Sequence, residues 1–193
     1  MAKSLMLAIV LGVGLGAIGS AQSSSSDQGG QKSASSGSTS KSGVSLADEK
    51  FVEKAAQGGM AEVELGQLAT EKASSDDVKK FGQRMVDDHS KANEELKQVA
   101  GSKGIDLPMS LNAKDQATKD RLSKLSGDAF DRAYLQDMVK DHIKDVVEFQ
   151  HESKSGKDSD IKNFASQTLP RLQEHLNQAK SIAPKGQSSQ AKK

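Results

Sequence analysis

From Leu46 onward, apolar side chains recur at spacings of three and four residues, and polar ones fill the positions between. On a wheel of about 100° per residue this is the pattern of amphipathic helices, and it predicts four long ones. The first runs from about Ala47 to Ala73, with Val52, Ala55, Ala56, Gly59, Val63 and Gly66 on one face. These side chains are mostly small, so the helix should approach its neighbours closely. The second spans about Asp76 to Ala100, with Ser75 or Asp76 as cap and Val78, Phe81, Met85, Ala92, Leu96 and Val99 as its stripe. Gly101 and Gly104 should end it, and Pro108 prevents its continuation.

The connector from 101 to 127 should carry a shorter helix near Asn112 to Leu125. Asp128 can cap the third long helix, whose stripe is Leu135, Met138, Val146 and Phe149. Gly156 breaks the pattern, and Ser159 can cap a fourth helix from about Asp160 to Ile182. There Ile161, Ala165, Thr168, Leu172, Leu176 and Ala179 align, and Pro170 falls on the opposite side as an expected kink. No alternating segment competes, so the expectation is an all-α protein. Two short links and one long connector match a ferritin-like four-helix bundle with a single crossover. The connector can travel the bundle's length, which would leave the second and third long helices parallel.

Composition changes the picture outside that region. Only 34% of the 193 residues are hydrophobic and 3% aromatic, but the deficit is local. Residues 1–21 read as a secretory signal peptide, with Lys3, an apolar run from Leu5 to Ile18, and Gly19-Ser20-Ala21 before the expected cut. The run is shorter than the ~20 residues of a spanning helix. Residues 22–45 are a Ser/Gly-rich stretch expected to be a disordered tether. Residues 46–183 form the domain, and 184–193 a disordered polar and basic tail. The chain is therefore expected to be exported, periplasmic or secreted, at most peripherally attached to the outer membrane, and without a transmembrane segment after cleavage.

Cysteine is absent, which removes disulfides, thiolate nucleophiles, Cys-based metal sites and a lipoprotein anchor. The formal charge is +1, with acids and bases interleaved along the helices. Nucleic acid needs a basic stripe to neutralise phosphates, so it is not an expected partner.

One heptapeptide recurs. Met85-Val86-Asp87-Asp88-His89-Ser90-Lys91 returns as Met138-Val139-Lys140-Asp141-His142-Ile143-Lys144, with five of the seven positions identical. It places His89 and His142 on buried stripes, and His175 lies on another beside Leu172 and Ala179. His151 belongs to the charged end of the third long helix and should be solvated. The first helix offers Glu62 and Glu64, whose directions differ by about 200°, and Glu62 is the one nearer the apolar stripe.

Glu62, His89, His142 and His175 all sit near mid-helix, so they can meet at one level of the bundle. Three imidazoles and a carboxylate are a reasonable ligand set for zinc, copper or iron. Met85 and Met138 could add thioethers, and Asp88, Asp131, Tyr134 and Asp141 are candidate supporting partners. The same histidines could instead be hydrogen-bonded core residues that bind nothing. A di-iron carboxylate centre is disfavoured, because Val86, Val139 and Leu172 stand where its Glu-x-x-His pattern needs a glutamate. No hydrolytic motif is present, and the residues favour a non-enzymatic role.

These residues also follow a family order. Phe51-Val52, Gly59-Met60-Ala61-Glu62-Val63-Glu64-Leu65-Gly66, Phe81-Gly82-Gln83-Arg84-Met85-Val86-Asp87-Asp88-His89, Phe130-Asp131-Arg132-Ala133-Tyr134-Leu135, Asp141-His142 and Leu169-Pro170 with His175 occur in sequence. Over about residues 46 to 183 the chain resembles an exported bacterial family of unknown function, labelled predicted outer membrane proteins and given a ferritin-like helical fold. The resemblance implies fold and envelope location, and favours Glu62, His89, Asp131, Tyr134, His142 and His175 as recurring polar positions. Two functional readings follow. One is a structural or interaction role in the envelope, in stress survival for example, with an unidentified envelope partner. The other is a transition-metal-binding bundle.

Overall fold

The computed structural model describes residues 43–183. The expected signal peptide, nearly all of the expected tether, and the expected tail fall outside them. Five helices follow one another: α1 (Leu46–Lys72), α2 (Asp76–Lys103), α3 (Ala113–Ser123), α4 (Gly127–Ser155) and α5 (Ser159–Ile182). The protein is an all-α bundle. α1 pairs with α2 and α4 with α5 as two helical hairpins, and α1 also packs on α4 and α2 on α5. The short α3 lies on α1 and α4, anchored by the fully buried Leu122.

Contacts at the helix ends give the directions. Asp48 near the start of α1 reaches Lys157 and Asp158 just beyond α4. Lys103 at the end of α2 pairs with Asp158 and Asp160 at the start of α5. Neighbouring helices are thus antiparallel, α2 and α4 run parallel, and the connector carries the chain from one end of the bundle to the other.

The caps differ in detail from the sequence reading. Gly101 stays helical, and α2 ends at Gly104, whose φ of 66° is the left-handed conformation that glycine takes without cost. Ser75 occupies the N-cap position of α2 but makes no capping bond with its side chain. Asp131 of α4 takes over, accepting the Ser74 and Ser75 amides at 3.1 and 2.9 Å and the Ser74 hydroxyl at 2.7 Å. α4 begins two residues earlier than expected, after Ser126, and Asp128 accepts the Ser74 hydroxyl instead of capping its own helix. Asp158, not Ser159, caps α5 by accepting the Asp160 and Ile161 amides. α5 continues through the exposed Pro170.

Close approach of α1 and α2 rests on two glycines. A Cβ on Gly66 would sit 2.7 Å from the Gly82 carbonyl oxygen, and one on Gly82 would sit 2.8 Å from that of Gly66. The core has two apolar clusters. One contains Phe51, Val52, Leu96, Phe149, Ile161 and Leu172; the other contains Leu65, Phe81, Met85, Phe130, Tyr134 and Met138. On every long helix a buried ionisable residue stands between the two clusters: Glu62, His89, His142 and His175. The bundle therefore carries one polar layer at mid-height, between its two apolar clusters.

Candidate metal centre

The three imidazoles of that layer converge. Ring centroids are 5.8 Å apart for His89 and His142, 5.2 Å for His89 and His175, and 5.4 Å for His142 and His175. One nitrogen from each ring lies within 4.8 Å of the other two. His142 Nε2 and His175 Nδ1 are only 3.3 Å apart.

Hydrogen bonding on the far sides of the rings assigns their protons. His142 Nδ1 lies 3.0 Å from the Met138 carbonyl oxygen, which can only accept, so Nδ1 carries the hydrogen. His175 Nε2 lies 2.8 Å from Asp88 Oδ2. Asp88 is also held by Arg84 and Arg171. Partial burial pulls its carboxyl upward, but the bonds from His175 and Arg84 outweigh that and it titrates below its usual range. It is a carboxylate, and His175 Nε2 donates to it. His142 Nε2 and His175 Nδ1 therefore face each other as two lone pairs with no proton between them.

The third ring completes the pattern. His89 Nδ1 is 3.0 Å from Glu62 Oε2, while its Nε2 is buried and has no hydrogen-bond partner. When Glu62 is ionised it accepts the Nδ1 proton, and Nε2 presents a third lone pair. Each imidazole thus has one nitrogen supported from behind, by Glu62, Met138 or Asp88. That is how metal-bound histidines are usually oriented.

Electrostatics keep the rings neutral. Burial, reinforced by the neighbouring rings, holds His89 well below the ordinary histidine range and His142 at about 3. Burial also lowers His175, against the opposing pull of Asp88. Burial, with Asp145 and Asp141 nearby, pushes Glu62 well above the ordinary carboxylate range. A cation among the three nitrogens would favour the neutral imidazoles further and would reverse the effect on Glu62, favouring its ionised form.

The other candidates are placed as follows. Glu62 reaches Nδ1 of His89 and lies 3.3 Å from Nδ1 of His142, so its carboxylate meets the supporting side of the rings. Asp88 supports His175. Asp131 is far from this layer in its role and caps the α1–α2 turn. Tyr134 is fully buried with an unpartnered hydroxyl, and burial followed by the charge of Glu62 raises its pKa. Asp141 is half-buried in a cleft between α1, α4 and the connector. His151 is exposed. Met138 meets the layer through its backbone oxygen. Asp145, one helical turn beyond Asp141 on the cleft wall, was not a sequence candidate; its i+4 spacing from Asp141 was the available signal.

The sequence belongs to the family described as Domain of unknown function (DUF4142), whose profile matches residues 33–182. Two solved structures are similar to it. A DUF305 fragment from Deinococcus radiodurans shares 13% identity, covering 72% of this chain and 96% of that one, with a TM-score of 0.64. A DUF305 protein from Streptomyces coelicolor shares 13% identity over 70% of this chain and 91% of its own, with a TM-score of 0.59. At that identity the likeness is one of fold. No curated protein matches the sequence.

Proposed function

We propose that this chain is an exported helical bundle that binds one divalent transition-metal ion through His89, His142 and His175. The observation that carries the reading is the pair of lone pairs 3.3 Å apart on His142 and His175. Without a cation that arrangement is repulsive. Two nitrogens each about 2.05 Å from a metal and at a tetrahedral angle lie about 3.3 Å apart. Three neutral imidazoles suit zinc or copper(II), and three protein ligands leave a fourth coordination position open. Glu62, Asp88 and the Met138 carbonyl would fix the ring orientations.

Export is supported by the leader-like residues 1–21, and one of the two solved structures is named as a candidate secreted protein. No helix among the described residues is long and apolar enough to cross a membrane. Storage or buffering of the metal in the envelope is the role this donor set fits best.

A second reading has its own support. Every imidazole already has an internal partner, so the layer could be purely structural, in a bundle that serves an envelope partner. The two readings separate on the untagged full chain by elemental analysis and by melts with and without Zn²⁺ or Cu²⁺. Stoichiometric metal and a raised midpoint, both lost in His142→Ala, are expected. No bound metal and an unchanged midpoint would leave the structural reading standing.

A further inference from the structure

Glu62 stands between two spaces. On one side lies the cleft bounded by α1, α4 and the connector, with a volume of about 630 Å³. On the other lies a small cavity of about 20 Å³ against His89, room for roughly one water molecule. Glu62 and Asp145 line both. Lys54 and Gly58 line both as well, so the cleft and the edge of the imidazole cluster share one thin wall.

The cleft is acidic. Glu53, Glu62, Asp106, Asp115, Asp141 and Asp145 line it, against three lysines. Two of those lysines, Lys54 and Lys144, turn to Glu148, which is not part of the cleft wall. Crowded carboxyl groups are common without a ligand, but here a second observation points inward. Glu62 is only 4% exposed, and its Oε1 is buried and makes no hydrogen bond, with His142 Nδ1 3.3 Å away as its nearest polar neighbour among the described ion pairs. An unsatisfied buried carboxyl oxygen costs free energy that a cation would recover.

We propose that this cleft is a second cation site, a carboxylate-lined antechamber that captures a hydrated divalent metal ion and hands it past Glu62 to the three histidines. Oxygen donors and retained water hold many divalent cations weakly, so capture rests on charge, and selection falls to the imidazoles further in. Clefts lined by one sign of charge raise counter-ion on-rates by about 10- to 1,000-fold, and the gain falls with ionic strength. The hand-over rests on the metal reading given above; the capture step does not.

The test uses the full chain and two probes. Tb³⁺ seeks oxygen ligands, and Tyr134 is the sole tyrosine in a chain without tryptophan, so it alone can sensitise Tb³⁺ emission efficiently. The cleft should bind Tb³⁺, and Asp141→Asn/Asp145→Asn should weaken that binding about tenfold or more. In stopped-flow Zn²⁺ uptake at low salt, the same variant should load about tenfold more slowly while its equilibrium affinity moves less than about threefold. Glu53→Gln at the exposed rim, a milder change, should slow uptake about twofold. Circular dichroism checks that each variant is folded. Wild-type Tb³⁺ binding and Zn²⁺ loading rates in both variants would overturn the antechamber. Tb³⁺ binding that depends on Asp141 and Asp145, in a protein that takes up no Zn²⁺, would keep the cleft site and remove the histidine centre.

Discussion

Asp48 and Asp131 each close the hairpin to which the other belongs. Asp48, in the first turn of α1, accepts the amides of Lys157 and Asp158 between α4 and α5. Asp131, in the second turn of α4, accepts those of Ser74 and Ser75 between α1 and α2. The two aspartates are 83 positions apart, and so are the residues they hold. The same separation relates Val78 to Ile161, Phe81 to Phe164 and Glu62 to Asp145. The bundle is an approximate two-fold pairing of hairpins. The histidines break it, since His89, His142 and His175 correspond to Leu172, Gly59 and Ala92.

Removing either cap should loosen a hairpin. Asp131→Ala leaves the Ser74 and Ser75 amides without their acceptor, while the Ser74 hydroxyl keeps Asp128, a loss of about 2–4 kcal/mol. Asp48→Ala should cost about 1–3 kcal/mol for its two amides. The caps lie at opposite ends of the bundle, so the double variant should show near-additive losses in urea denaturation.

Glu62→Gln should weaken metal binding without abolishing it. The amide oxygen can still accept from His89 Nδ1, but the charge is gone. A 10- to 100-fold loss of affinity, roughly the usual effect of changing a supporting group, is expected in competition titrations with a chromophoric chelator. An unchanged affinity would mean that Glu62 does not act on the ring.

The metal-free protein should be acid-sensitive through the same rings. Their folded pKa values lie below the unfolded value of 6.5, with His142 at about 3. Their contribution is thus complete above pH 6.5 and is lost as pH falls towards 3. Each ring should contribute a slope of up to about 1.4 kcal/mol per pH unit within that window. Urea melts from pH 7 to pH 4 should show this slope, and His142→Gln should flatten it.

Glu152 should act with the opposite sign. Burial, and then the charge and hydrogen bond of Asp48, raise its pKa to about 7. Its favourable contribution is complete below 4.5 and disappears as pH rises through 7. Glu152→Gln removes the charge and should stabilise the protein at pH 8 by an amount on the order of 1 kcal/mol, with little effect at pH 4. Thermal melts at the two pH values measure the difference.

Gly66→Ala tests the helix contact beneath the polar layer. The new methyl meets the Gly82 carbonyl oxygen, part of a helix backbone that cannot rotate away. A loss of about 1–3 kcal/mol is expected in denaturant titrations, despite alanine's better helix propensity.

Much of this was legible in the chain because helical periodicity is a local property. The heptapeptide repeat placed His89 and His142 on inward faces, and the link lengths alone indicated an α-helical bundle. What local pattern could not supply was pairing across the bundle. Asp131 looked like a partner for the histidines, yet it caps a distant turn. Glu62 was grouped with the histidines by depth, while the side of each ring that it meets depends on how α1 and α2 pack. Asp48 and Glu152 gave no signal, because their meaning arises only where α1 crosses the end of α4.

The polar layer between the two apolar clusters also bears on alignment. Oily surfaces tolerate sliding, and a helix displaced by one turn of about 5.4 Å would still bury hydrocarbon against hydrocarbon. It would also carry an imidazole or Glu62 into hydrocarbon without its partner, at a cost of several kcal/mol. The layer works like the notch of a key: with or without an ion, it leaves the four long helices one depth at which to rest.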